Sequence, residues 1–374
     1  MSGEIRTVVD VDDFLRGANF MSASGGGDPV VEREQLHEDV RDRLEIGWTP
    51  LESFAPDDVL FSVCYSGSIA PESFDDPAER AAALGGPRAH ERPFTEAVRL
   101  LEQYAGQRCA GLVSIEIGGI NSGAILSAAA RLGLPLVDGD YAGRAIPELH
   151  ATAPHMHGAP VLPFACVDHF DNQVIIASSP SNAWAERIGK HLALSSLGLI
   201  ACAFAALPAS RVGEIYVPET MSECLALGRA IREARETGAE PIVAAAAALD
   251  GWVLFRGRIV EREWANTGYM EGTHELEGVG PFEGQRLRIW FRNENHVTWL
   301  DGEPWVASPD LIEVCDPETA EPLVNTYLEL GQEVAVVGRR RRDQFDSPAG
   351  LETLGPRHFG FDLEFRGIEE LVGA

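Results

Sequence analysis

The feature that most restricts the fold is a strand–helix–strand run in the first half of the chain. Gly111–Ile117 is a compact apolar stretch, Gly123–Leu132 has helical periodicity, and Leu134–Val137 is apolar again. Short apolar runs joined by a helix form a βαβ unit, whose strands lie parallel with the helix across one face. Val59–Val63 reads as another buried strand. Pro163–Val167 and Gln173–Ala177 read as two more, turning at Phe170-Asp171-Asn172. Apolar residues at i, i+3 and i+4 predict helices over Asp10–Phe20, Val30–Ile46 and Thr95–Tyr104. Ser66–Pro93 carries Pro, Gly and Asp clusters and reads as loop. The first half is thus predicted to be α/β, with a mainly parallel sheet and flanking helices.

The second half differs. Helices are predicted at 182–196 and 222–236, while Gly198–Leu207 fits helix and strand equally. Beyond about residue 250 short runs rich in Val, Ile, Trp and Phe alternate with turns: Trp252–Val260, Arg286–Phe291, Val297–Leu300, Leu311–Cys315 and Glu333–Val337. Asp301-Gly302 carries a hairpin turn signal. We expect an N-terminal α/β domain over 1–180 and a C-terminal β-rich domain over 181–374.

Charge narrows the partners. With 58 acidic against 30 basic residues the net charge is −28, which repels nucleic acid and anionic membranes. A homo-oligomer is the macromolecular partner left open. Lys190 is the sole lysine, so Schiff-base chemistry has one candidate. The six cysteines form no Cys-x-x-Cys pair, against a zinc ribbon or a redox pair. The opening segment lacks a signal peptide's basic start and apolar run, and no stretch resembles a clean membrane span. A soluble cytoplasmic protein is expected.

Five segments carry candidate chemistry. Ser24-Gly25-Gly26-Gly27-Asp28 precedes a helix, and its amides could cradle an anion. Glu116 and Asn121 flank the turn from the Gly111–Ile117 strand into its helix, at the strand end where open α/β sheets bind ligands. Asn121 also suits a helix cap. Asp138, Asp140, Arg144 and Glu148 follow the next strand; Asp138 and Asp140 would share one face of an extended segment and act as a base or metal ligands. His155 and His157, two apart on a strand, with Asp168, offer a metal site, zinc first. Asn293 and Glu294 form a polar step between apolar strands, either a turn or a patch facing a cleft between domains. Cys64 follows a strand, but no base for it can be named, and it reads as a buried thiol.

Taken in order, these motifs resemble the S-methyl-thiohydantoin desulfurase family, formerly catalogued as DUF917. The matching segments are GANFMSASGGGDP (17–29), EIGGIN (116–121), VDGDYAGRAIPE (137–148), DHFDN (168–172), Asn293-Glu294 and GPRHFGFD (355–362). The resemblance implies an N-terminal α/β domain, a C-terminal β-rich domain and hydrolytic removal of sulfur from a thiohydantoin-type ring. On this reading Asp138 or Asp140 acts as base and Glu116 as second acid/base. Arg144 and Asn121 orient the ring, and the 25–27 amides hold an anionic edge. The alternatives are a subunit of an ATP-dependent hydantoin or oxoproline hydrolase, and a non-catalytic binding protein.

Overall fold

The βαβ unit supplies two adjacent strands toward one side of a seven-stranded sheet. The computed structural model describes residues 3–67, 84, 86 and 90–372, so most of the loop expected over Ser66–Pro93 lies outside the described residues. From edge to edge the sheet runs Gln173–Ile176, Phe164–Val167, Leu199–Pro208, Val59–Gly67, Gly111–Ser114, Leu136–Asp140 and Val217–Pro218. Gly111–Ser114 pairs in parallel with Val59–Gly67 on one side and Leu136–Asp140 on the other. The remaining pairs are antiparallel, so parallel character is confined to the crossover units. Leu199–Pro208 resolves the ambiguous segment. It is a strand inserted between Val59–Gly67 and Phe164–Val167, buried through most of its length, which is why it shows no alternation of polar and apolar residues.

Helix Gly119–Leu132 returns across this sheet. Its Ala, Gly and Ser side chains allow close packing, and Gly133 ends it with a left-handed φ of 64°. Helix Val8–Phe20 starts at a Thr7–Asp10 capping box and packs Val11, Phe14, Leu15 and Ala18 inward. The predicted helices 182–196 and 222–236 are observed as Asn182–Ser195 and Thr220–Thr237.

The second seven-stranded sheet is antiparallel throughout. Its order is Glu303–Ala307, Glu294–Leu300, Arg286–Arg292, Met270–Gly278, Trp252–Asn266, Glu333–Arg339 and Leu311–Cys315. Asp301 and Gly302 make the expected hairpin turn, both with positive φ (52° and 89°). Sequence reading missed Met270–Gly278 and Glu303–Ala307, where charged residues and glycine dilute the apolar signal. One apolar core links the two sheets: Phe14 and Leu15 belong to the same buried cluster as Leu311 and Val337. Among the described residues no helix is long and apolar enough to cross a membrane.

Helices Val8–Phe20 and Thr220–Thr237 cross with backbones nearly touching. A Cβ placed on Gly17 would lie 1.8 Å from the Cys224 carbonyl oxygen, and one on Gly228 would lie 1.7 Å from that of Asp13. Neither neighbour can swing aside as a side chain would. Gly228→Ala is therefore expected to destabilise the fold by at least about 1–3 kcal/mol, the cost of overpacking, although alanine favours helix. Urea denaturation checks this; a stability equal to wild type would mean the helices separate freely.

A candidate active site at the domain junction

Glu116 follows strand Gly111–Ser114 and points to a cavity of about 140 Å³ between the two domains. Both its oxygens are held: Asn121 Nδ2 donates to Oε1 at 2.6 Å and the Ile146 amide donates to Oε2 at 2.8 Å. Asn121 is not the helix cap; its Oδ1 accepts the Tyr65 amide at 2.8 Å, so it fixes Glu116 against the end of strand Val59–Gly67. Burial pushes the Glu116 carboxyl up to about 7, against these hydrogen bonds, with Asp140 and Glu186 adding repulsion.

Glu294 enters from the C-terminal domain, at the start of strand Glu294–Leu300. Its Oε2 is buried with no hydrogen-bond partner. Burial first, then the charge of Glu116, raises it well above the usual carboxylate range, with Arg144 opposing. Beside it, Asn293 takes a left-handed turn (φ 55°), and its Oδ1 accepts the Met270 amide at 3.0 Å.

The glycine turn closes one wall by close packing. A Cβ on Gly25 would sit 2.4 Å from Glu294 Oε1, and one on Gly26 would sit 3.0 Å from Gly118 Cα. The Gly25 amide is taken by the Ser22 carbonyl at 3.1 Å and is not free for the expected anion cradle, and the turn is fitted against a carboxyl. Ser24 fastens the turn to the other domain: its amide donates to Glu313 Oε2 at 2.7 Å and its Oγ accepts the Val314 amide at 3.1 Å. Gly27 turns the chain with φ 73°, and Asp28 is exposed in a surface depression with Asp12 and Arg33, away from the cavity.

The other sequence candidates are placed differently. Asp138 accepts the Ser222 amide at 3.0 Å and the Ser222 hydroxyl at 2.6 Å, tying down the start of helix Thr220–Thr237. Asp140 is buried, accepts the Ala142 and Gly143 amides at 2.9 and 2.7 Å, and is raised by burial to about 6. Neither lines the cavity. Arg144 also lies outside it, donating to the carbonyls of Ala145, Pro309, Asp310 and Asn295. Asp168 accepts from Phe170 and Asn172 within its own turn. His155 lies on the short helix Ala153–Met156 rather than a strand and meets Asn182; His157 is exposed just beyond. The sequence-predicted trio of His155, His157 and Asp168 is thus not assembled. Helical rather than extended backbone separates the two histidines.

Glu148 does reach the cavity, bound to His150 Nε2 at 2.6 Å and His358 Nε2 at 2.9 Å. Sequence reading missed Glu186 and singled out Lys190 only as the sole lysine; both line the cavity from helix Asn182–Ser195. Lys190 Nζ lies 3.0 Å from Glu186 Oε1 and 3.4 Å from the centre of the Tyr269 ring. Their i,i+4 spacing on one helix was the available signal. Cys64, Cys166 and Cys202 add a sulfur-lined floor. Burial keeps the Cys64 thiol well above its ordinary value, so it is protonated and a poor nucleophile, as a buried thiol should be.

Fold and cavity together define a two-domain α/β protein with an acidic small-molecule site where the domains meet. The chain belongs to the S-Me-THD-like family, that of S-methyl-thiohydantoin desulfurase: its N-terminal domain matches over residues 9–178 and its C-terminal domain over 180–368. Among solved structures, the X-ray crystal structure of a protein from Chromobacterium violaceum is similar with a TM-score of 0.77. It is 20% identical, covering 98% of this chain and 100% of that one. That likeness shows the fold. No curated protein sequence matches the chain.

Proposed function

We propose that the chain hydrolyses the C2–S bond of a thiohydantoin-type ring, with Glu116 as base and Glu294 as acid. One observation carries this reading. A desolvated carboxyl, oriented through both oxygens and raised to about 7, shares a small cavity with a second carboxyl whose Oε2 has no hydrogen-bond partner and which burial raises well above the usual range. Two acids with separated proton affinities are the arrangement that acid–base hydrolysis requires.

In an S-methyl-thiohydantoin, C2 carries the S-methyl group and is doubly bonded to a ring nitrogen. Glu116 takes a proton from water as its oxygen attacks C2, and Glu294 protonates the ring nitrogen. Collapse of the tetrahedral intermediate breaks C2–S and makes the C2 carbonyl. The hydroxyl proton returns to the Glu294 carboxylate, and the departing methanethiolate takes the proton held by Glu116. Water is consumed, both carboxyls are restored, and hydantoin and methanethiol form. For an unmethylated thiohydantoin the product is hydrogen sulfide. The apolar and thiol-lined floor suits the sulfur end of such a ring. Membership of the family supports the substrate class.

The test is thiol and sulfide release from a panel of five-membered rings bearing 2-thioxo, 2-methylthio or 2-oxo groups. Turnover of a sulfur-bearing ring is expected. Ligand-induced stabilisation without release from any of them would leave a binding protein instead.

A further inference from the structure

We propose that Glu148, His150 and His358 form a binding site for one divalent transition-metal ion on the wall of this cavity. Among the described residues these three place one donor atom each within 4.8 Å of one another. Both imidazole Nε2 atoms aim at the same carboxylate oxygen, Glu148 Oε2, at 2.6 and 2.9 Å. Metal–donor bonds of about 2.0–2.2 Å hold tetrahedral ligand atoms about 3.3 Å apart, so an ion needs these pairs to open by roughly 0.4–0.7 Å.

Two further facts favour an ion over a plain hydrogen-bonded cluster. His150 Nδ1 is buried without a hydrogen-bond partner and lies 3.9 Å from Glu186 Oε2. A metal-bound histidine turns its outer N–H to such a carboxylate, and Glu186 is already fixed by Lys190 and by the Leu149 amide. The donors also come from distant parts of the chain, His358 from the turn Pro356–Phe359 and the others from the loop ahead of helix Ala153–Met156. Their convergence is a product of the fold rather than of local sequence.

Two imidazoles and a carboxylate suit zinc or cobalt; magnesium and calcium prefer oxygen donors throughout. Three protein ligands leave a position open toward the cavity that Glu148 lines. The inference goes beyond the proposed reaction and does not rest on it, because its readout is the bound ion and not turnover.

The experiment strips the full-length protein with a chelator and titrates it with Co2+, following visible d–d absorption, and with Zn2+ by calorimetry. One equivalent is expected to bind saturably. His150→Ala and His358→Ala should each weaken binding by more than the ~10–100-fold that loss of a supporting partner costs. His155→Ala, whose ring centre lies 5.8 Å from that of His150, should bind as wild type. If an alanine variant does not fold, His358→Gln and Glu148→Gln must show the same loss in folded protein. Absence of saturable binding, or equal affinity in the folded ligand variants, overturns the site.

Discussion

Glu116→Gln is expected to lower kcat/KM for sulfur release by ~100-fold or more, the usual worth of a positioned base, while leaving the melting temperature close to the wild-type value. The two halves of this expectation have one cause. Burial raises the folded-state carboxyl to about 7, above its ordinary value of 4.5. Between those values the folded protein holds a proton that the unfolded chain has released. Stability from this group is therefore complete below about 4.5 and is lost as pH rises through about 7. An amide of the same shape never ionises, so the variant escapes that loss; its oxygen can still accept from Asn121, while its NH2 group faces the Ile146 amide and forfeits that one hydrogen bond. The wild-type rate should climb with pH through about 7 as Glu116 becomes a base, and the variant should lose that limb. A folded variant that is fully active would remove Glu116 from the chemistry.

Arg144→Ala should instead be a folding lesion, costing at least about 1–3 kcal/mol in chemical denaturation, as a buried acceptor left without its donor does. Its guanidinium is buried and donates to Asp310 and Asn295 carbonyls at 3.0 and 3.1 Å, so an N-terminal residue clasps two segments of the C-terminal domain. Truncation strands those acceptors and removes the cation whose charge offsets Glu294 and Glu313. Arg144→Lys keeps charge but cannot span the carbonyls, and should recover only part of the stability. If both variants denature with wild-type midpoints, the clasp holds nothing together.

The sequence exposed the local parts of this design. The βαβ unit was legible because apolar runs and helical periodicity alternate over one short stretch, and Glu116 with Asn121 could be placed where strand passes into helix. Asp138 and Asp140 show the limit. Their position at a strand tip was read correctly, but their partners were not. Ser222 claims Asp138 from 84 residues downstream, and Asp140 turns back on its own loop. Glu148 with His150 and His358 fails for the same reason, since 210 residues separate Glu148 from His358. Strand Leu199–Pro208 was ambiguous because burial on both faces erases the period that identifies a strand.

The position of that strand has a practical meaning. The family's two domain matches divide at about residue 179, ahead of Leu199–Pro208. A fragment cut there would expose two unpaired edges, along Val59–Gly67 and Phe164–Val167, each an open template for pairing with another copy. The excised remainder would carry an apolar ribbon with nothing to join. The two halves are therefore interdependent in manufacture as in action: separately produced pieces would clump, and a tag or fusion belongs at the termini and not at the apparent seam.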